Sequence, residues 1–552
     1  MTASRDDARE LELAPTVATS GPGLEMCPNC QGNGKLLVAQ TDTSKPPQRI
    51  PCERCGGSGS IKILELAKLN PEDQIMRELA AESFNVAATN LAPRRKYNAA
   101  VAMTLRACAV EPTVSEVWSN LGNYFWNMQR FEEAKQVLER AIQLNPNHAI
   151  SHCNLGLVLH SLGDLDQAEK YFDKAIRLDT DPKEIINTRW NRALLYLAKG
   201  DYKRGFRDYD TRLQKARLET TGAVQPWENL KATQTQPKFL YHRTLIPLWK
   251  GESLKGKTIF VASEQGIGDN IAFARFMPWL CDKAKAEGGK VQWCLMPSLV
   301  SLFWNFRCYD NLTFIPENVP LNSLGADYYV FEASLPKFFG CTLDNLPPDP
   351  GHVLDRSNDL RNAVALPKIR DPNAFKIGIC WTGNPGLERN EERTVPLDLL
   401  LNLATIPNVW LHSFQVGKAS QQISEIGAEQ LICDLGPQLE GMGLTACASA
   451  MREMDLIITS CTSIAHLGGS LGMPTWVMLC VDPFWMWMRN RSDSPWYPSV
   501  RLFRQPRSKD WPSVMTEVRA ALVKLLNERK PGSASDHFGS VRSASRVMGE
   551  AA

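Results

Sequence analysis

Between about residues 72 and 215, apolar and small side chains recur at helical spacing, and the pattern itself recurs. Trp118, Leu121, Gly122, Phe125, Ala134, Leu138, Ala141 and Pro146 mark one pass, and Leu155, Gly156, Leu159, Ala168, Phe172 and Ala175 return 34 residues later. Small residues at Gly122, Ala134 and Ala141 let two antiparallel helices approach closely, so the spacing predicts stacked helical hairpins. Ala100, Ala107 and Pro112 place a degenerate unit before these, and Gly200-Asp-Tyr202 echoes Gly163-Asp-Leu165 in a decayed unit after them. From about 236 to 528 the pattern changes to short apolar runs alternating with amphipathic stretches, which predicts parallel strands and crossover helices. Leu456 to Val481 holds no acidic or basic residue except His466 and is long enough to span a bilayer. Its glycines and Pro474 break it instead into strand, small-residue helix and strand. Residues 1–24 and 529–552 are too polar to bury a core and are expected to be disordered.

The 34-residue period is that of tetratricopeptide repeats, so residues 72–215 are expected to form an α-solenoid. Such a stack offers a concave groove to a protein, peptide or glycan acceptor; a rigid spacer or dimer surface is the alternative. The 552 residues suggest three or four domains. Lys and Arg total 62 against 60 Asp and Glu, a net charge of +2, which excludes gross electrostatic capture of nucleic acid or anionic membrane. Acids occupy the N-terminus where a signal peptide needs a basic stretch and an apolar run, and eleven of the 15 Cys are scattered without a framework. A cytoplasmic protein with no integral membrane segment is expected.

The remaining four cysteines form two pairs within residues 25–62: Cys27-Pro-Asn-Cys30 and Cys52-Glu-Arg-Cys55, each followed by a Gly-x-Gly turn. Four thiolates on tight knuckles suit one structural zinc ion per chain. A redox dithiol is the alternative, disfavoured because no thioredoxin-like strand and helix surround either pair. The doubled CxxCxGxG resembles half of the cysteine-rich zinc domain of the DnaJ co-chaperones over these residues alone. No J-domain HPD tripeptide accompanies it.

Four blocks in the α/β region each read as a buried strand ending in a polar or glycine turn. The first is Lys257 through Asp269-Asn270, with Gly266 and Gly268 in its turn; the second is Lys376 to Pro385, carrying Trp381 and Asn384. The third is Trp410 to Gly417 with Gln415, and the fourth Asp455 to Gly469 with Thr462, Ser463 and His466. Thr and Ser at a helix N-terminus suit a diphosphate, and a nearby Arg would neutralise its charge. Asp269 alone would equally serve as a helix cap, and Trp381 and Trp485 are either stacking surfaces or packing.

Together EQGIGDNIAFARFMP, WTGNP with Arg393-Thr394, SFQVG, TSIAHLGGSLGMPTW and Ser494 through Gln505 resemble bacterial repeat proteins ending in a glycosyltransferase domain similar to the ADP-heptose:lipopolysaccharide heptosyltransferases. The resemblance implies a GT-B architecture: a Rossmann-like acceptor domain over 236–365 and a Rossmann-like donor domain over 366–528. It implies inverting transfer from a nucleotide-sugar without a catalytic metal. Asp269 matches the proposed base, Arg393 a basic residue near the donor phosphates, and His466 the donor-side turn. Gln415, Thr462 and Ser463 fall on the donor side, and Gly266, Gly268, Asn270, Trp381 and Asn384 along the acceptor side or cleft. One departure is chemical: the turn commonly reads Asp-Thr or Asp-Ser, whereas Ser460-Cys461-Thr462 carries no carboxylate. The alternative expectation is therefore a non-catalytic repeat and zinc-knuckle adaptor with a degenerate transferase domain.

Overall fold

A computed structural model describes residues 24–26, 35–38, 48–51 and 60–62, then 74–214, 246–316, 325–348 and 364–529 apart from 370, 372 and 388. The chain divides into two compact units, Met1–Thr188 and Arg189–Ala552.

In the first unit, β1 (Leu24–Met26) pairs antiparallel with β4 (Ser60–Lys62), and β2 (Lys35–Val38) with β3 (Gln48–Pro51). Met26 lies opposite Ser60 and Lys35 opposite Pro51. Cys27, Cys30, Cys52 and Cys55 themselves lie outside the described residues.

The helical hairpins follow the expected repeat. They are α1 (Gln74–Leu91) with α2 (Tyr97–Val110), α3 (Ser115–Asn127) with α4 (Phe131–Leu144), and α5 (Ala149–Leu162) with α6 (Leu165–Leu178). The small signature residues act as the spacing requires: a Cβ on Gly122 would stand 2.4 Å from Leu138 Cγ, and one on Gly156 2.7 Å from the Phe172 ring. Trp118 donates its indole N–H to the Pro112 carbonyl, and 34 residues on His152 bonds the Pro146 carbonyl, each at 2.9 Å. One loop-to-helix tie thus recurs with different chemistry in each repeat.

The next helix, α7 (Pro182–Lys199), begins in the first unit, whereas its residues from Arg189 and all of α8 (Tyr202–Tyr209) belong to the second. The rest of that unit is built on two parallel sheets. The first comprises β5 (Thr258–Ala262), β6 (Lys290–Cys294), β7 (Leu312–Ile315) and β8 (Tyr328–Phe331) in the order β7-β6-β5-β8. The second comprises β9 (Phe375–Cys380), β10 (Val409–Ser413), β11 (Ile432–Asp434), β12 (Leu456–Ser460), β13 (Thr475–Leu479) and β14 (Val500–Arg504), in the order β11-β10-β9-β12-β13-β14. Counted from its own first strand, the second sheet runs three-two-one-four-five-six, the order of doubly wound α/β sheets, and the first sheet runs three-two-one-four. The buried stretch from Leu456 folds as expected into β12, α9 (Ser463–Ser470) and β13. Among the described residues, no helix is long and apolar enough to cross a membrane.

Because α8 carries Tyr202, Phe206 and Tyr209 into the core of the second unit, the two units should differ in where they tolerate truncation. A chain beginning at Pro182 should melt cooperatively in circular dichroism. A chain beginning at Gln214, which lacks α8, should lose that transition or melt several degrees lower.

Candidate functional site

In a parallel sheet, ligands bind beyond the strand C-termini where successive crossovers depart in opposite directions. Those points lie between β5 and β8 in the first sheet and between β9 and β12 in the second. The segments that follow these four strands carry Asp269, Glu332, Arg393 and His466, each on a helical turn or helix. The helix after β5, Ile267–Phe273, packs directly on α9. A Cβ on Gly268 would come within 2.7 Å of the His466 ring, so glycine is what permits this approach between the halves of the unit.

The turn after β5 is held from within. Gln265 sits at φ 66°, a left-handed conformation that costs a non-glycine residue. The Gly266 N–H donates to Asp269 Oδ2 at 3.0 Å, so Asp269 does cap its own helix. Asn270 Nδ2 donates to the carbonyls of Glu264 and Gly266 at 2.9 and 2.8 Å, so Asn270 braces the turn. Burial pushes the Asp269 carboxyl up to about 6; the Gly266 N–H opposes this and the Glu264 charge adds to it.

Sequence reasoning missed Glu332, at the end of β8. It is 1% exposed, Ser263 Oγ donates to its Oε2 at 2.8 Å, and its Oε1 has no hydrogen-bond partner. Burial, reinforced by Glu264 and Asp269, pushes this carboxyl up to about 8, so it is protonated at neutral pH. Its only distinguishing sequence feature is its place after a strand.

On the second sheet, Arg393 is partly buried. Asn390 Oδ1 accepts from its Nε at 3.1 Å and from the Gly383 N–H at 3.1 Å, so one carboxamide fixes both the cation and the turn after β9. A Cβ on Gly383 would stand 2.6 Å from Arg393 Nη2. No carboxylate pairs with Arg393 among the described residues; beside it lies Cys461, whose sulfur accepts the Trp487 indole N–H at 3.0 Å. Thr462 Oγ1 caps α9 by accepting from the Ile464 N–H at 3.3 Å, and Ser463 opens the helix partly exposed. His466 Nδ1 bonds the Tyr497 hydroxyl at 3.0 Å, and burial pushes the ring down to about 3, leaving it neutral.

Four residues considered as ligand contacts make contacts within the protein. Trp381 is fully buried in the core of the second sheet, its indole N–H donated to Gln422 Oε1 at 2.8 Å, so it offers no face to a ligand. Trp485 packs against Tyr202, Phe206 and Trp496. Gln415 Oε1 accepts the backbone N–H groups of Trp381 and Thr382 at 3.3 and 3.1 Å, shaping the β9 turn from inside. Asn384 is exposed and accepts the Gly386 N–H at 2.9 Å, closing the loop on itself.

The unit is thus a doubly wound α/β body following tetratricopeptide repeats. Residues 113–181 match the tetratricopeptide repeat family. The chain is 23% identical over 483 residues to Protein FlbA of Caulobacter vibrioides, a match covering 83% of this chain and 75% of that protein. A match of that length extends past the helical hairpins into the α/β unit. BBSome complex member BBS4 of Bos taurus is 27% identical over 193 residues, covering 33% of this chain and 36% of BBS4. Among solved structures, that of MamA is 22% identical and covers 29% of this chain and 87% of MamA, with a TM-score of 0.24.

Glu332 yields a prediction with a defined sign. Its folded pKa lies above the ordinary 4.5, so the folded state holds the proton more tightly, and that stabilisation is lost as pH rises from about 4.5 to about 8. Glu332→Gln removes the titration. Denaturant melts should therefore show the variant gaining on the wild type across this window, and parallel pH profiles would refute the assignment.

Proposed function

We propose that the second unit is an inverting, metal-independent glycosyltransferase of GT-B type, with two Rossmann-like halves, and that the repeats recruit its acceptor. One observation carries the reading. The two switch points are packed together, with a carboxyl poised near neutrality on one side and a guanidinium lacking an acidic partner on the other. A half-buried cation with no carboxylate in ion-pair contact suits an anionic ligand, and the N-terminus of α9 adds N–H groups and a favourable dipole beside it.

In this mechanism Asp269 takes the proton of an acceptor hydroxyl as its oxygen bonds to the anomeric carbon. The bond from that carbon to the nucleoside diphosphate breaks on the opposite face, inverting the centre. Arg393, the Ser463 hydroxyl and the α9 N-terminus receive the charge of the departing diphosphate. His466, neutral and wedged against Gly268, keeps the two turns in register.

Asp269→Asn keeps the cap but cannot accept a proton, so turnover should fall by roughly two to four orders of magnitude with donor affinity little changed. Arg393→Ala should weaken donor binding as well. Because the base must be unprotonated, kcat/KM of the wild type should rise with pH through about 6 and then level. A thermal-shift screen of nucleotide-sugars followed by transfer assays supplies the substrates. Binding without turnover at any pH would favour a second reading, a non-catalytic adaptor, to which the uncharged Ser460-Cys461-Thr462 turn lends support.

The cysteine pairs extend the proposal to one structural zinc ion held by Cys27, Cys30, Cys52 and Cys55. The ladders support it: β1 and β3 lead into the two CxxC segments, β2 and β4 lead out, and each entry strand pairs with the other segment's exit strand. Elemental analysis should find about one zinc per chain. A Cys27→Ser/Cys52→Ser variant should lose it, and an unchanged metal content would exclude these ligands.

A further inference from the structure

The segment following α8 contributes one side chain to the α/β unit that no repeat requires. Arg212 is buried, with 5% of its side chain exposed, and all five of its N–H donors are engaged. Its Nε lies 3.1 Å from both carboxylate oxygens of Glu264, and one Nη2 donor also reaches Glu264. The other Nη2 donor meets Ser334 Oγ at 2.8 Å, and the Nη1 donors meet Asp210 Oδ1 at 2.8 Å and the Tyr209 carbonyl at 3.2 Å. Ser334 donates in turn to Asp210, and Lys337 pairs with Asp210 Oδ2 at 3.1 Å. The guanidinium also lies over the Tyr209 ring.

Glu264 links β5 to the strained Gln265, and its carbonyl accepts from Asn270. Its side chain and its backbone are therefore gripped from opposite directions, immediately before the turn that presents Asp269. The α8 helix bringing Arg212 into place is anchored on both halves of the unit: Phe206 packs on Phe273, and Tyr202 accepts the Trp496 indole N–H at 2.7 Å.

We propose that Arg212 is a positioning residue of the candidate site, fixing the 263–269 turn through its fork on Glu264, so that the segment after the repeats is a working part of the α/β unit. The inference rests on the reading of Asp269 as the reacting carboxyl. Asp269 senses Glu264, Glu332, Arg393, Cys461 and Tyr209, so removing either partner of the clamp alters its surroundings in a defined direction. Loss of the Glu264 charge lowers its pKa, whereas loss of Arg212 leaves that charge uncompensated and raises it.

The test is made on the full-length chain without any sugar donor. The Asp269 carboxyl is titrated by carbon-13 NMR, assigned by subtracting Asp269→Asn, in the wild type, Glu264→Gln, Arg212→Gln and Arg212→Lys. Amide hydrogen exchange is followed over 263–272. Glu264→Gln should move the midpoint down and Arg212→Gln up, each by on the order of one pH unit, with exchange over 263–272 faster by on the order of tenfold and β9 to β14 unchanged. Arg212→Lys should bring the midpoint back towards the wild type without restoring protection, because an ammonium replaces the charge but not the fork. An unmoved midpoint, shifts of the same sign, protection lost evenly across the unit, or full rescue by lysine would each overturn the proposal. If Arg212→Gln fails to fold, the Glu264→Gln titration alone decides. Absence of transferase activity would remove the functional reading and leave this result standing.

Discussion

The approach of one glycine to one imidazole ring governs the second unit. Gly268 lies in the first turn of the helix after β5 and His466 lies on α9, and their contact sets how near the two sheets' switch points come. A methyl group there would meet the ring at 2.7 Å, well inside normal contact. The ring cannot retreat easily, since Trp487 lies 5.1 Å from it and Tyr497 holds its Nδ1. Everything chemical follows from this approach. It lets an acid on the first sheet sense a guanidinium on the second, and it keeps His466 neutral, so the imidazole adds no charge to the cleft.

The Arg212 cluster imposes the second constraint, and its energetics differ from those of the surrounding core. Two buried carboxylates and a buried guanidinium are expensive to desolvate, and their mutual attraction offsets the cost only when the remaining donors and acceptors are satisfied. Here all five arginine donors are. Such an arrangement adds little net stability compared with a well-packed apolar cluster, yet breaking it by removing one partner costs about 3–5 kcal/mol. Its contribution is geometric, since a planar fork fixes Glu264 in orientation as well as in place.

Much of the fold was legible because it is written in periodicity. The 34-residue recurrence, and the apolar runs ending in glycine or hydroxyl turns, report main-chain geometry that each short segment carries by itself. What escaped was every feature created by distant partners. Arg212 and Glu264 are 52 residues apart, and Arg212 sits in a stretch whose Gly200-Asp-Tyr202 reads as one more repeat. Nothing local reveals that Tyr202, Phe206 and Tyr209 face an α/β core rather than another hairpin. Glu332 and Asn390 were passed over because an acid or an amide after a strand is unremarkable until its neighbours are known. Trp381 and Gln415 were read correctly as residues of the β9 and β10 turns, but burial decided that they shape those turns from beneath.

Charge is unevenly divided across the junction, and the division bears on direction. The first sheet's edge holds Glu264, Glu332 and Asp269, with Glu264 matched by Arg212 and Glu332 protonated at neutral pH. Asp269 is left as the carboxyl there that exchanges its proton near pH 6. The facing edge holds Arg393 beside a thiol, where a carboxylate would have formed an ion pair and filled the guanidinium's coordination. With Cys461 there, Arg393 has no ion-paired carboxylate among the described residues and is offset only through its longer-range interaction with Asp269. On the proposed reading, a neutral acceptor with an ionisable hydroxyl suits the first edge and an anionic leaving group the second. In the proposed transfer, proton and negative charge part in opposite directions, each towards the group placed to receive it.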